Sequence, residues 1–447
     1  MSKQLDMTTG PLGGKIIRYT IPLALTGILQ QLFNAADVAV VGRFSGKEAM
    51  AAVGSNAPVI GLLVNLFVGI SLGSNVVIAR AIGQGNNSKA SKAVHTSLVV
   101  AFLGGLLLTL IGELLAPQVV DLLDVPSDVK AMSVKYLRIY LLGMPVILLY
   151  NFQSAIFRSC GNTGIPLMAL VISGVLNVGL NLMFVVGFGM DVEGVAIATV
   201  IANAISSAIL FAMLLRTDSV VRVNIKNIRI DPQVLSGILI IGVPAGVQGM
   251  VFSFANIIVQ SAVNSLGTIV VAGSAAAFNL EIFAYYVMNS FGQTCSTFVG
   301  QNYGAGKNDR CRKVLKNCLV QNLLTTGTIC CVILLLCEPL LRIFNSDPDV
   351  ISNGRIRLQF IFAAYSVSFI QETLTGYLRG FGISFVPAIC SVVGICGVRL
   401  TWIFFVFPHH RSFTAIMAVY PLSLGITALV ILVMTLIVKP SERYKVG

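Results

Sequence analysis

The chain has 447 residues, 56% of them hydrophobic and 11% charged, with a formal net charge of +12. A soluble domain carries about 25% charged residues, so this composition excludes an ordinary water-soluble protein. A basic excess is one mark of nucleic-acid binding, but here the basic residues are spread along the chain in a pattern that excludes it.

Apolar runs long enough to cross a bilayer, about 20 residues each, recur throughout. In chain order they fall at 16–40, 51–79, 94–118, 132–157, 165–187, 194–215, 235–263, 270–299, 314–341, 356–378, 385–407 and 414–438. They are continuous and do not alternate, which predicts helices and excludes a β-barrel. The expected fold is an all-α polytopic membrane protein with twelve transmembrane helices. The polar start, "MSKQLDMTTGPLGGKIIRYT", runs into a span too long for a signal-peptide core, with no small-residue cleavage site after it, and is expected to be retained.

With the N-terminus taken as inside, 20 of the 30 Lys and Arg fall in inner loops and nine in outer loops, while Arg399 lies within the eleventh run. That asymmetry predicts both termini in the cytoplasm. The longest inner loop, "RTDSVVRVNIKNIRIDPQ", reads as a topology signal facing lipid headgroups.

The sequence repeats itself. Pro22 matches Pro244 and Asn34 matches Asn256 at an offset of 222; Arg158 matches Arg379 and Pro166 matches Pro387 at 221. Pro117 pairs with Pro339 at 222, and "GQGN" pairs Gln84 with Gln301 of "GQNYGAG" at 217. The predicted organisation is therefore two pseudo-symmetric six-helix bundles, 1–216 and 235–447, joined by a cytoplasmic linker over 217–234. An even number of spans in each half makes the repeats parallel, the arrangement of transporters whose halves rock about a site near the bilayer midplane.

Catalytic residues are not predicted. No phosphate-binding loop is present, His95, His409 and His410 read as loop or helix-end residues, and the nine cysteines read as free thiols without metal spacing. No cofactor is expected. Transport would then run on an ion gradient.

Polar stripes inside the apolar runs supply the candidate site. Thr26, Gln30, Asn34 and Asp37 share one helical face, as do Ser173, Asn177 and Asn181, and Thr199, Asn203 and Ser206. In the second half, Gln248, Asn256 and Gln260 share a face, as do Glu281, Tyr285, Asn289 and Gln293, and Ser368, Glu372 and Thr375. Interhelical hydrogen bonds, worth about 0.6 kcal/mol each in membranes, account for Ser and Thr. They account poorly for an ionisable Asp, for which function is the default. Asp37, Glu281 and Glu372 are the acids well inside spans; with Arg399 as the one interior cation, the balance suits cationic cargo. Pro22 and Pro244 occupy equivalent positions and are candidate hinges.

The stretch "IPLALTGILQQLFNAADVAVVGRFSGKEAMAAVG", the "GQGN" and "GQNYGAG" loops, and "LRGFG" resemble the multidrug and toxic compound extrusion transporters over essentially the whole chain. The likeness is to the bacterial branch with an aspartate in span one (DinF-like). It implies an ion-coupling cluster of Asp37, Asn177, Asn181 and Thr199, with Asn181 standing where that branch usually has Asp. One carboxylate with three neutral oxygens would suit H⁺ or a single Na⁺. The polar stripes give the expected lining of the substrate cavity, Gln30, Asn34, Asn203, Gln248, Asn256, Glu281, Tyr285 and Glu372, and the resemblance carries over Glu281 and Glu372 among them. The expected function is export of amphipathic, mostly cationic organic compounds or drugs in exchange for H⁺ or Na⁺. The expected setting is a monomer in the bacterial plasma membrane, in contact with the lipid bilayer and with no nucleic-acid partner. The alternative is a lipid-linked oligosaccharide flippase of the related superfamily, which would call for a cavity rich in Arg or Lys.

Overall fold

Long apolar segments fold as helices because a helix satisfies its own backbone groups where water is absent. The computed structural model describes residues 5–123 and 125–443, and no strand occurs among the described residues. The first half contains α1 (Gly13–Phe44), α2 (Lys47–Gly83), α3 (Asn87–Leu122), α4 (Lys130–Leu142), α5 (Met144–Ser159), α6 (Gly164–Leu182) and α7 (Val192–Arg216). The second half contains α8 (Pro232–Asn264), α9 (Thr268–Gly304), α10 (Asn308–Leu335), α11 (Cys337–Arg342), α12 (Pro348–Gly380), α13 (Phe385–Ser391), α14 (Val398–Thr401), α15 (Phe413–Val438) and α16 (Pro440–Arg443). Residues 183–187, 392–397 and 402–406 wind as π-helix, so that α13, α14 and the turns between them form one continuous rod.

Among the described residues ten helices are long and apolar enough to cross a membrane, and α4 with α5 makes an eleventh, bent by 49°. The sequence predicts one span there; the structure breaks it at Gly143, because Pro145 opens α5 with no amide hydrogen to donate. The remaining expected span is α12, 33 residues long, whose polar and charged residues lower its hydropathy.

The repeat is written in the turns. Gly46 and Gly267, Gly85 and Gly306, and Gly161 and Gly382 all hold φ between 67° and 98°, a region that a Cβ disfavours. The offset within each pair is 221. This register corrects the pairing of Gln84 with Gln301 at 217. Helix α3 starts at Asn87 and α10 at Asn308, so Gly85 answers to Gly306, while Gln301 lies within α9.

By contact the chain forms two units that cut across the repeat. One holds Leu25–Gly246; the other holds Asp6–Ala24 together with Val247–Gly447. The leading segment of α8 thus belongs to the first unit and that of α1 to the second, with the cuts just beyond Pro244 and Pro22. In the first unit α8 touches α2 backbone to backbone. A Cβ on Gly69 would lie 2.1 Å from the Gly246 nitrogen, and one on Gly73 would lie 2.3 Å from the Ile238 carbonyl. Small residues allow this approach, which is how helices associate in lipid. In the second unit the equivalent contact is polar. Thr20 and Thr294 share a hydroxyl hydrogen bond of 2.9 Å, and Tyr19 meets Thr297 at 3.3 Å while its ring stands edge-on to Phe298.

The linker is docked on α3. His95, read from the sequence as a helix-end residue, is 2% exposed. Its Nδ1 lies 2.7 Å from the Ser91 carbonyl, and its Nε2 lies 3.0 Å from the Asn224 amide nitrogen and 3.1 Å from the Asn224 carbonyl. Lys92 pairs with Asp231 at 2.9 Å, and the Asp231 amide donates to Thr96. The hydrogen bond from Lys92 holds the Asp231 carboxyl below its usual range, aided by the Val234 amide.

Candidate functional site

Helix α1 brings Asp37 against α6 and α7. Gly174 on α6 is what lets α1 come close: a Cβ there would fall 1.9 Å from the Phe33 ring. Asn177 and Asn181 then lie one turn apart on the α6 face that meets Asp37. The Asn181 amide donates to Asp37 Oδ1 at 2.6 Å, and the Thr199 hydroxyl stands 3.1 Å from Oδ2. That hydroxyl is also 2.9 Å from the Val195 carbonyl, so its single proton serves one acceptor at a time. Asn177 accepts from Asn181 at 3.4 Å and donates to Thr199 at 3.5 Å. The four residues that the sequence groups are thus one hydrogen-bonded cluster.

Two features give the cluster chemical capacity. Asp37 is 7% exposed and has no basic partner among the described residues. Asn181 is fully buried, and its Oδ1 has no hydrogen-bond partner among the described residues. A buried acceptor left without a donor costs about 1–3 kcal/mol. A cation relieves that cost: with a positive charge beside Asp37, the amide can turn its oxygen inward. The donors are all oxygens, which suits a hard monovalent cation or a proton and not a soft metal. Tyr136 and Tyr140 on α4 lie close enough to feel the Asp37 charge, and their rings stand 6.1 Å apart. Neither is among the residues singled out from the sequence, although Ser133, Tyr136 and Tyr140 follow one helical face at spacings of 3 and 4.

The other residues of that half are less concentrated. Asn34 is exposed and Gln30 half-buried on α1; Asn203 donates to the Thr199 carbonyl at 2.8 Å, and Ser173 and Ser206 bond within their own helices.

In the second unit the expected unpaired acids are not what the structure contains. Glu281 receives a two-pronged contact from Arg357, at 2.9 Å from Nε and 2.7 Å from Nη2, while Nη1 donates to Ser274. Arg357 is 6% exposed. By hydropathy it counts with the outer loop, because it stands only one residue into the apolar run that begins at 356; α12 in fact begins at Pro348, capped by Asp347, which carries Arg357 more than two turns into the helix. Glu372 accepts from Asn289 at 3.3 Å and lies within electrostatic reach of Arg379, which donates to Gln248 at 2.5 Å. Gln248 in turn donates to Ser391 at 2.7 Å, and Tyr285 packs edge-on against Tyr286. Gln260 is exposed and bonds Asn264. Asn256 accepts not from a substrate-facing group but from Arg399, at 2.6 Å. The premise of one interior cation against three acids is therefore corrected: the second unit buries Arg357 and Arg399 and holds Arg379 beside Glu372. Near the far ends of the helices, Glu338 sits between Arg342 and Arg355 at 2.7 and 2.9 Å, and Glu113 lies 3.7 Å from Arg138.

Comparison with known proteins agrees with the two-half plan. The profile of the family described as MatE matches residues 22–183 and again 244–404. The chain is 27% identical over 425 residues to the probable multidrug resistance protein YoeA of Bacillus subtilis, covering 92% of this chain and 91% of that one. It is 28% identical over 397 residues to the probable multidrug resistance protein NorM of Thermotoga maritima, with 86% and 84% covered. Among solved structures, a MATE crystal structure in complex with MaL6 matches with a TM-score of 0.92 at 19% identity, over 99% of this chain and 100% of that one. An outward-facing multidrug resistance MATE family transporter of the MOP superfamily gives 0.89 at 19% identity over both complete chains. At that identity the structures speak for the fold.

Proposed function

The chain belongs to the MatE family of transporters, and on that premise we propose that it is a secondary active antiporter exporting amphipathic organic compounds in exchange for H⁺ or Na⁺. The observation that carries the coupling is the Asp37 cluster: a buried carboxylate held by neutral groups, beside an amide oxygen with no partner. Binding a cation there cancels a buried charge and satisfies an orphan acceptor. If that binding is tighter in one conformation, ion binding shifts the equilibrium between conformations, and cargo can be driven the other way. Rocker-type alternating access is the matching motion, with Pro22 and Pro244 beside the points where α1 and α8 pass from one unit to the other.

The substrate class rests on two supports. The relatives bear the name multidrug resistance protein, and Asp37 leaves the first unit's interior with a negative charge available to organic cations. In the second unit Glu281 already carries its counter-charge in the Arg357 guanidinium. Asn181 in place of a second carboxylate suits a single monovalent ion. The setting proposed is the bacterial plasma membrane, with a monomer whose linker and termini face the cytoplasm; the terminal residues 1–4 and 444–447 lie outside the described residues. In intact cells, a membrane-impermeant thiol reagent should reach Ser412→Cys and spare Ser219→Cys, and labelling of the latter overturns this topology.

The test of function is purified protein in proteoliposomes, with a panel of cationic dyes and imposed pH or Na⁺ gradients. Dye movement against its own gradient, driven by one of the two ions, is expected. Movement indifferent to both gradients contradicts antiport.

A further inference from the structure

The Asp37 cluster has a counterpart in the second unit, and its charge is reversed. Helix α7 begins at Val192 and α15 at Phe413, an offset of 221, which makes Tyr420 the counterpart of Thr199. On α8, Asn256 answers to Asn34 and Val259 to Asp37, each at an offset of 222. Pro166 and Pro387 begin equivalent helices at an offset of 221. The π-helical turns of 392–397 hold more residues per turn than the α-helix of the first unit, and absorb one residue before α14. That extra residue makes Arg399 the counterpart of Asn177, with the offset raised to 222.

Arg399 is 1% exposed, among the largest fully buried side chains of the protein. Among the described residues no carboxylate pairs with it; Glu281 is committed to Arg357, and Glu372 accepts from Asn289. A buried charge without an opposite partner is ordinarily excluded from proteins. Here its surroundings are those of a cation site. Nη1 donates to Asn256 Oδ1 at 2.6 Å, Nε donates to Ser423 Oγ at 3.3 Å, and the guanidinium lies 4.5 Å from the Tyr420 ring and 5.2 Å from the Phe252 ring. Ring faces attract cations electrostatically. The first unit thus offers a carboxylate and neutral oxygens to a cation that can come and go, whereas the second offers neutral oxygens and ring faces to a cation attached to the chain.

We infer that Arg399 is a built-in cation that permanently fills the second unit's counterpart of the Asp37 site, confining exchangeable ion binding to the first unit, one ion per cycle. A free cation entering among the same oxygens would meet a fixed like charge at close range. This inference rests on Asp37 being the coupling site, and the experiment separates the two.

Full-length protein in nanodiscs is assayed for ²²Na⁺ binding and for proton release, and its melting temperature is followed for Arg399→Ala with methylguanidinium or its neutral shape analogue methylurea. The wild type should bind one ion and Asp37→Asn none. Arg399→Ala should melt lower, and millimolar methylguanidinium should restore it while methylurea does not. Two ions in the wild type, one of them surviving Asp37→Asn, overturn the inference, as does equal rescue by the two additives or rescue by neither. A wild type that binds no ion overturns the coupling reading instead, and the rescue arm still decides whether the Arg399 position is a cation site. If Arg399→Ala is not recovered folded, Arg399→Lys should melt near the wild type and Arg399→Gln well below it; equal melting of the two contradicts the inference.

Discussion

Asp37 in the first unit and Glu281 in the second are both buried acids within spans, yet they are held in opposite ways. Asp37 accepts from the Asn181 amide and the Thr199 hydroxyl, with Asn177 behind them. Glu281 faces a guanidinium that grips both its oxygens. An acid held by neutral groups can exchange a proton or a sodium ion, because its counter-charge comes from outside. An acid locked to arginine already has its counter-charge within the protein. An acidic residue in an apolar run therefore marks a candidate, and its partner decides what it does.

The contrast is broken most forcefully at Arg357. Replacing it with Met strands Glu281 as a buried charge, and removing one member of such a pair costs about 3–5 kcal/mol. Thermal unfolding in detergent should show that loss for Arg357→Met and recover most of it for Arg357→Met with Glu281→Leu. Asp37→Asn has no such counter-charge to strand and should stay close to wild-type stability. An Arg357→Met protein as stable as wild type would show that the pair does not fix Glu281.

The reciprocal helix seatings offer the next contrast. Gly69→Ala drives a methyl into the α8 backbone, an overpacking cost of about 1–3 kcal/mol. Thr20→Ala in the second unit removes one hydroxyl bond, worth about 0.6 kcal/mol in a membrane. Unfolding midpoints should fall further for the glycine variant, and the reverse order contradicts the backbone contact seen between α2 and α8.

Pro22→Ala should leave folding intact and slow turnover by roughly tenfold or less, about 1.4 kcal/mol on the barrier, if α1 bends there. Unchanged turnover leaves the proline as a static kink. The smallest effect is expected at Asp231. Its folded pKa lies below the ordinary value, so the Lys92 contact contributes fully above that value and is lost as pH falls through the lower folded one. Hydrogen exchange over 217–231 should stay protected at neutral pH and quicken only in acid; Asp231→Asn should remove the pH step.

Much of the fold is legible in the sequence because its signals are local. Hydropathy and the repeated prolines place the helices and the two halves. The Asp37 cluster is legible too, through polar residues at helical spacing and the family likeness. What escapes depends on helix ends and on contacts between distant segments. Arg357 escapes because a charged residue near the start of an apolar run looks like a loop. The break at Gly143 escapes because hydropathy is blind to direction. Tyr136 and Tyr140 approach Asp37 from a helix about a hundred residues further along the chain, and their spacing on α4 does not say which helix they face. The register slip at Gln84 arises because a short shared motif outweighs the turn geometry that defines equivalence.

The central claim is that Asp37 carries the coupling ion. Asn181→Asp probes it from one side, since a second carboxylate should strengthen Na⁺ dependence if Na⁺ binds there. The direct measurement is gradient-driven dye export by purified Asp37→Asn protein in proteoliposomes, at reconstitution matched to wild type. The variant keeps the shape of the residue and an acceptor for the Asn181 amide, its own NH2 donating to the Thr199 hydroxyl instead of accepting from it, but it neither titrates nor supplies a charge. The account predicts that it inserts and folds while ion-driven accumulation collapses to the level seen without a gradient. Accumulation at the wild-type level would contradict the account and leave Asp37 a structural residue.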